Sequence, residues 1–436
     1  MRNAKELFED NDINMKKNQD VKKGVQMTYQ RSFSTENNFA IKRKKHSFSS
    51  KAGTIKEFKR KNDNLKVALV HDFLVNWGGA EQVLETLCEM FPEAPIYTLL
   101  YDKEKMGKKF GKRKIKTSFL QKFPKIFRTR FRRYLLPLMP VAPEVFDLRD
   151  FDLVISSSGA WSKGIVTRLS TIHIAYLHSP MRFVWDYNEK YLRDIGKKIG
   201  FCKRMFLTYL RIWDYQATQR PDVLLVNSKY TQKRIKKYYR RDSRIVYPPV
   251  VNKNKSGNDI DGEQKKEKYF LMVSRLTGYK KVDLVVNAFN KLELPLIIVG
   301  EGEQKKYLQK IAGKTVKVVG WQDEKNLAKY YQGARALIFP AVDDFGMVMV
   351  EAMRYGVPII AIKKGGAKEI VKEGLSGEFF EAQTVEVLAD GVRRFIENEK
   401  NYDANAIKKE AEKFSQEKFK EKIEEVIKEK TLNAKM

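Results

Sequence analysis

Twice along this chain, apolar runs of strand length alternate with helical stretches, and a polar segment divides the two series. No other feature narrows the fold as much. The first series is Lys66-Val-Ala-Leu-Val-His-Asp-Phe, Pro95-Ile-Tyr-Thr-Leu-Leu, Phe151-Asp-Leu-Val-Ile-Ser-Ser-Ser-Gly, Thr171-Ile-His-Ile-Ala-Tyr-Leu-His, Asp222-Val-Leu-Leu-Val-Asn-Ser and Arg244-Ile-Val-Tyr-Pro-Pro-Val. The second is Tyr269-Phe-Leu-Met-Val-Ser, Leu294-Pro-Leu-Ile-Ile-Val-Gly, Val316-Lys-Val-Val-Gly, Ala336-Leu-Ile-Phe-Pro and Pro358-Ile-Ile-Ala-Ile. Runs that stay apolar residue after residue belong to strands covered on both faces, and the helices between them supply the cover. The expectation is an α/β chain with two doubly wound, parallel-sheet, Rossmann-like domains facing across a cleft. The first spans 65–250, a linker 251–268, and the second 269–410. The chain's 436 residues are enough for two such cores. The segment 411–430 reads as an amphipathic helix with Phe414, Phe419, Ile423 and Ile427 on one stripe.

Charge then narrows the partners. The net charge is +31, which argues for something anionic: nucleic acid, an acidic membrane surface or a phosphorylated substrate. Residues 1–64 contribute +8, are rich in Asn, Ser and Gln, and lack hydrophobic periodicity, so they read as a basic, disordered tail. Residues 101–150 contribute +10 and are different in kind. Within 116–135, Phe119, Leu120, Phe123, Ile126, Phe127, Phe131, Tyr134 and Leu135 interleave with seven basic residues. That composition suits peripheral contact with an anionic membrane, or a basic helix packed by its aromatic face on the first domain. No run of 18 apolar residues marks a transmembrane helix. Two distant cysteines, Cys88 and Cys202, fit a reducing cytoplasm, and with four histidines they form no metal constellation.

The chemistry concentrates in residues 339–358, Phe-Pro-Ala-Val-Asp-Asp-Phe-Gly-Met-Val-Met-Val-Glu-Ala-Met-Arg-Tyr-Gly-Val-Pro. A strand ends, a loop carries Asp343 and Gly346, and a helix follows with Glu351 seven residues beyond Asp343. The N–H groups of Phe345, Gly346, Met347 and Val348 suit a sugar or phosphate, and the two carboxylates accept from sugar hydroxyls. Glu351 is assigned to a ribose and Asp343 to the transferred sugar. Gly365-Gly366 and Glu369 follow at a matching offset. Arg275 and Lys280, after the first strand of the second series, form the pair for a diphosphate.

Across the cleft, Gly78-Gly79 either brings backbone close to the donor phosphate or simply turns strand into helix. His178 ends a buried strand, where it reaches the transferred sugar or orients the acceptor. His71 and Asp72 read as another strand end near the cleft, functional or structural. Trp321 covers a nucleobase or merely packs.

Several pieces in order resemble bacterial family 4 glycosyltransferases, especially the mannosyltransferase-like members of surface polysaccharide synthesis. They are Gly78-Gly-Ala-Glu, Thr117-Ser-Phe-Leu-Gln, Asp152-Leu-Val-Ile-Ser-Ser-Ser, His178-Ser-Pro-Met-Arg-Phe-Val-Trp-Asp, Asn227-Ser-Lys-Tyr, Tyr247-Pro-Pro-Val, Ser274-Arg-Leu-x3-Lys, the acid loop and Phe414-Ser-x2-Lys-Phe. The resemblance covers Lys66 to about Ile427. It departs at Asp343, where the family's Glu-x7-Glu signature begins with Glu. It implies a GT-B fold, a nucleotide-sugar donor, no required cofactor or metal, retention of configuration by front-face attack, and a C-terminal helix, 411–430, that crosses back to the first domain. GDP-mannose is favoured over UDP-sugars as donor, and the acceptor is lipid-linked or a glycan at the inner face of the cell membrane. The alternatives are a UDP-sugar-dependent transferase, a nucleotide-sugar epimerase or hydrolase of the same fold, and a non-catalytic sugar-nucleotide binder. No RNA-binding motif accompanies the charge, so no nucleic-acid partner is expected.

Overall fold

The computed structural model describes residues 65–129, 131–186, 200–250 and 269–433. The expectations for the tail 1–64 and the linker 251–268 fall outside the described residues. The first domain holds a seven-stranded sheet: β1 Val67–Leu74, β2 Ile96–Tyr101, β3 Ile115–Thr117, β4 Leu153–Ser158, β5 Ile172–Leu177, β6 Val223–Val226 and β7 Arg244–Ile245. Its order is β3-β2-β1-β4-β5-β6-β7, and every pair is parallel. The second holds six strands: β8 Tyr269–Val273, β9 Leu296–Val299, β10 Val316–Gly320, β11 Ala334–Phe339, β12 Ile359–Ile362 and β13 Gly377–Phe380. Its order is β10-β9-β8-β11-β12-β13, again all parallel. In both sheets the order reverses beside the first strand, the position where such folds open a crevice at the strand ends.

The apolar runs are buried on both faces, as their composition requires. All six residues of β4 are buried, and so are all four of β6, β12 and β13. Each fully buried Val, Leu, Ile or Phe side chain contributes about 1.5–3 kcal/mol, so these strands are a large part of what holds each domain together.

Three sequence readings need correcting. The series of apolar runs omits β3 and β13. The first is three residues at a sheet edge with Lys116 at its centre, and the second carries Glu378, so neither forms a long apolar run. β1 continues to Leu74, which puts His71 and Asp72 inside the strand rather than at its end. The basic block 116–135 is not one helix. It breaks into a 3-10 turn at Phe119–Lys122, a single turn at Lys125–Arg128 and a 3-10 stretch at Arg132–Leu138. Pro124 precedes the second piece and Pro137 lies inside the third, where a missing N–H prevents a regular helix. Leu120 and Leu135 are buried, whereas Ile126, Phe127 and Tyr134 are exposed.

The C-terminal segment passes between the domains at Ser415. Phe414 lies in a 3-10 turn, Glu412–Phe414, with its ring 5.1 Å from Tyr247 and 5.3 Å from Phe345. The helix Gln416–Asn433 then lies on the first domain. Phe419 meets Tyr176 at 5.7 Å, and Gln416 and Lys420 both reach Glu89. Phe419, Ile423 and Ile427 are buried, and Phe414 belongs to the core of the second domain instead.

Candidate active site

The acid loop begins where β11 ends. Gly346 has φ +98°, a region open to glycine and strained for other residues. A Cβ there would also stand 2.9 Å from the Phe339 ring. This glycine releases the chain into the short helix Met347–Met353, with Glu351 one turn in. The Gly366 N–H bonds the Asp343 carbonyl at 2.9 Å, so the Gly365-Gly366 turn braces the loop from behind.

Asp343 is only 8% exposed. Lys280 is paired with its Oδ2, and Arg182 of the first domain stands 3.6 Å from Oδ1. Burial alone would raise this carboxyl. The Lys280 ammonium and the Arg182 guanidinium outweigh it and hold Asp343 below the usual carboxylate range. Oδ1 is buried without a hydrogen-bond partner. Buried polar atoms are nearly always satisfied, so this oxygen, 3.6 Å from Arg182 Nη1, keeps acceptor capacity for a donor.

Asp344 points the other way and binds the domains together. Arg182 Nε donates to it at 2.9 Å, Arg234 is paired with its other oxygen, and Ser228 Oγ donates to its carbonyl at 2.6 Å. Glu369 does similar work. It accepts from the N–H groups of Lys229 and Tyr230 at 2.9 and 3.0 Å, capping the helix Lys229–Tyr239 from the opposite domain. These partners commit Glu369 to the domain contact. Glu351 accepts from the Tyr331 hydroxyl at 3.0 Å and from Gln82 Nε2 at 3.3 Å. A carboxylate offers about four acceptor positions, so both bonds are compatible with further hydroxyls.

Of the two cations, Lys280 holds Asp343, and Arg275 is exposed, donating to the Tyr279 hydroxyl at 2.9 Å. Facing them, Gly78-Gly79 opens the helix Gly79–Met90. A Cβ on Gly79 would lie 2.6 Å from Met347 Sδ, so two helix starts, one from each domain, meet here. Met347 is therefore part of the same junction, together with Phe345, whose ring touches Tyr247 at 5.9 Å, and Val348, packed on the second core. Trp321 is 69% exposed at the end of β10, which removes plain core packing as its explanation.

His178 directly follows β5. Its Nε2 is 2.8 Å from Ser157 Oγ, and Asn227 Nδ2 donates to its carbonyl at 2.8 Å. Burial pushes its ring down to about 3, so the imidazole is neutral at working pH. Asp72 has a structural job. Its carboxylate accepts from the N–H groups of Gly159, Ala160, Trp161 and Ser162 at 2.6–3.0 Å and shapes the loop after β4.

Sequence reasoning missed Arg182, Arg234 and Ser157 as parts of this site. Arg182 and Ser157 do lie inside quoted motifs, His178-Ser-Pro-Met-Arg and the Ser-Ser-Ser end of β4, so position in a motif was the available signal. It also missed the buried Lys163–Asp214 pair at 2.6 Å. Asp214 accepts from Trp185 and Tyr239 at 2.7 and 2.6 Å, anchoring the short helix Arg182–Trp185 that presents Arg182. Among the described residues no group of His, Cys, Asp and Glu has metal-binding geometry, and no helix is long and apolar enough to cross a membrane.

Comparison with known proteins agrees with this architecture. The profile "Glycosyltransferase Family 4" matches residues 77–252, and "Glycosyl transferases group 1" matches 257–414. An uncharacterized glycosyltransferase of Methanocaldococcus jannaschii, MJ1178, is 24% identical, covering 81% of this chain and 95% of the relative. The alpha-1,3/1,6-mannosyltransferase ALG2 of Saccharomyces cerevisiae is 23% identical, covering 84% and 86%. Among solved structures, Anabaena Alr3699/HepE in complex with UDP superposes with a TM-score of 0.60 at 15% identity, over 83% of this chain and 100% of that one. With two profiles that follow its two domains, and with two parallel sheets in the same arrangement as its structural neighbours, the chain belongs to the group 1, family 4 glycosyltransferases and has their GT-B fold.

Proposed function

We propose that this glycosyltransferase is a retaining, metal-independent hexosyltransferase that moves mannose from GDP-mannose to a lipid-linked or polysaccharide acceptor. The observation that carries the reading is Asp343 Oδ1, a buried carboxylate oxygen without a hydrogen-bond partner, beside two cations at the junction of the domains. A sugar hydroxyl donating to that oxygen would satisfy it. The shorter Asp is buried and flanked by cations, so it remains ionised and able to accept. In this reading Glu351 holds the ribose, and the backbone of Phe345, Gly346, Met347 and Val348 meets the sugar and phosphate. Gly78 and Gly79 face the phosphate from the first domain, Trp321 covers the base, and His178 contacts the sugar.

Arg275 and Lys280 take the diphosphate. As the C1–O bond to phosphate breaks, negative charge grows on the leaving oxygen, and fixed cations stabilise that state more than the ground state. The acceptor hydroxyl attacks C1 from the same face. Its proton passes to the departing diphosphate oxygen, so no enzymic nucleophile is required.

Mannose is favoured by the similarity to the mannosyltransferase ALG2. A UDP-sugar is the second reading, supported by the HepE structures with UDP and glucose. Exposed Ile126, Phe127 and Tyr134 among basic residues favour peripheral contact with the inner face of the membrane. The test is a thermal-shift series with GDP-mannose, UDP-glucose and UDP-N-acetylglucosamine, followed by turnover of whichever stabilises. GDP-mannose is expected to raise Tm most. If no nucleotide sugar or free nucleotide shifts Tm, the donor site is wrong; if only the UDP-sugars do, the mannose assignment is.

A further inference from the structure

Two motif residues have no assigned role: Glu81, the last residue of Gly78-Gly-Ala-Glu, and Ser157, in the Ser-Ser-Ser end of β4 and hydrogen-bonded to His178. They are joined through His71. Glu81 Oε1 lies 3.4 Å from His71 Nε2, His71 Nδ1 lies 3.1 Å from Ser157 Oγ, and Ser157 Oγ lies 2.8 Å from His178 Nε2. The sheet builds this line. His71 and Ser157 are register partners on β1 and β4, and Ser157 pairs with Tyr176 of β5, two residues before His178. The glycine turn brings Glu81 in from the first turn of the following helix. His71 and Ser157 are both buried, so water does not compete for these bonds.

We propose that Glu81, His71 and Ser157 are positioning residues that hold His178 as its Nε2–H tautomer, leaving Nδ1 to accept a hydrogen bond from a hydroxyl of the bound sugar. The last step rests on the assignment of His178 to the sugar made above.

The direction follows from donor and acceptor capacity. An ionised carboxylate only accepts, so His71 Nε2 carries the proton facing Glu81. With its one ring proton on Nε2, His71 offers the Nδ1 lone pair to a hydrogen bond from the Ser157 hydroxyl. Ser157 Oγ, its proton spent, accepts from His178 Nε2–H. The proton order reverses only if His71 carries protons on both nitrogens; Ser157 then donates to His178 Nε2, and Nδ1 becomes the donor. The other charged groups beside His178 are Asp72, next to His71 on β1 and bound by four loop N–H groups, and Asp344 from the second domain, bound by Arg182 and Arg234. His178 is held neutral by burial. The consequence is a selectivity rule. A histidine fixed as an acceptor discriminates for a hydroxyl at its contact point and against a deoxy or O-methyl sugar there.

The experiment is nitrogen-15 NMR of the full chain labelled at histidine, with resonances assigned through His178→Gln and His173→Gln. The expected result at neutral pH is a protonated Nε2 and an unprotonated Nδ1 on His178. Ser157→Ala is expected to give a tautomer mixture and lower kcat/KM about tenfold, with Ser157→Thr restoring both. Finding the proton on Nδ1, or an unchanged tautomer in Ser157→Ala, overturns the relay. A tautomer that shifts in Ser157→Ala while kcat/KM stays unchanged overturns the sugar contact instead. Because the tautomer is read without substrate, failure of the donor assignment and failure of the relay give different results.

Discussion

The two domains share a strand order and differ in what they place at the strand ends. In the second, the ends of β8 and β11 lead into ionic side chains: Arg275, Lys280, Asp343 and Asp344. In the first, the corresponding region offers His71, Ser157 and His178, linked by hydrogen bonds whose direction matters more than their charge. The difference teaches that one scaffold can be tuned for two electrostatic tasks. In the proposed reading the second domain supplies cations for a diphosphate, and Asp343 partners Lys280 when the donor is away. A sugar hydroxyl needs only a neutral acceptor held still.

The contrast is broken most directly at Lys280. Lys280→Ala is expected to lower kcat/KM by about a hundredfold to a thousandfold, the typical cost of removing one charge-stabilising group from a transition state. Stability should fall as well, because removing Lys280 leaves the buried Asp343 carboxylate with Arg182, 3.6 Å away, as its remaining cation partner. Steady-state kinetics with the donor identified by thermal shift would check this. A loss confined to KM would mean that Lys280 binds the ground state and the transition state equally, and the assignment of leaving-group stabilisation would fall.

Much of this comparison was legible before the structure. The apolar runs gave both sheets because parallel strands buried on two faces must be apolar on both. The motifs holding Asp343 and Lys280 are local and could be read, and the structure pairs those two side chains. What escaped depends on contacts between distant segments. Arg182 meets Asp344 across 162 positions, and Ser157 meets His71 across 86, through sheet register that no local pattern records. β3 and β13 escaped because short strands carrying Lys116 or Glu378 do not differ from turns in composition. The block 116–135 misled for another reason. Its composition describes an amphipathic surface correctly, but prolines and packing of Leu120 and Leu135 decide that the surface is made of short turns.

A second prediction uses the fact that all four histidines precede the second domain in sequence. His173 and His178 are both held at about 3 by burial, against an ordinary value of 6.5. The unfolded chain binds protons on these two rings between those values and the folded chain does not. Stability is therefore complete above about pH 6.5 and falls as pH drops toward 3. Each ring contributes a slope of about 1.4 kcal/mol per pH unit in that window. Asp72 and Asp343 are shifted below 3.8, and Glu301, Glu386, Glu410 and Glu429 below 4.5, so these carboxylates add to the loss only from about pH 5 downward, and pH 6.5 to about 5 isolates the histidines. Urea unfolding across that interval should show the two-proton slope, and His173→Phe should halve it. An unchanged slope in His173→Phe would mean that this ring is not buried neutral.

The smallest expected effect concerns the outer surfaces. Exposed large apolar side chains crowd the first domain, at Ile126, Phe127, Tyr134, Leu138, Val141 and Val145, and again at Phe201, Met205, Tyr209 and Ile212 on the helix Phe201–Gln219. Among the described residues of the second domain such side chains are scattered singly, at Tyr307, Trp321 and Leu375. Scattered apolar residues are normal for a soluble surface, whereas a crowded set among basic residues fits an anionic bilayer. Replacing Ile126 and Phe127 together by Ser removes apolar insertion while keeping every basic residue. Co-sedimentation with vesicles containing anionic lipid is expected to weaken about tenfold, with turnover on a water-soluble acceptor unchanged. Tyr307→Ser paired with Leu375→Ser is the matched change in the second domain, and it should leave sedimentation alone. If both pairs weaken binding equally, attraction is a property of net charge alone, and the two domains do not differ toward a membrane as they differ toward the donor.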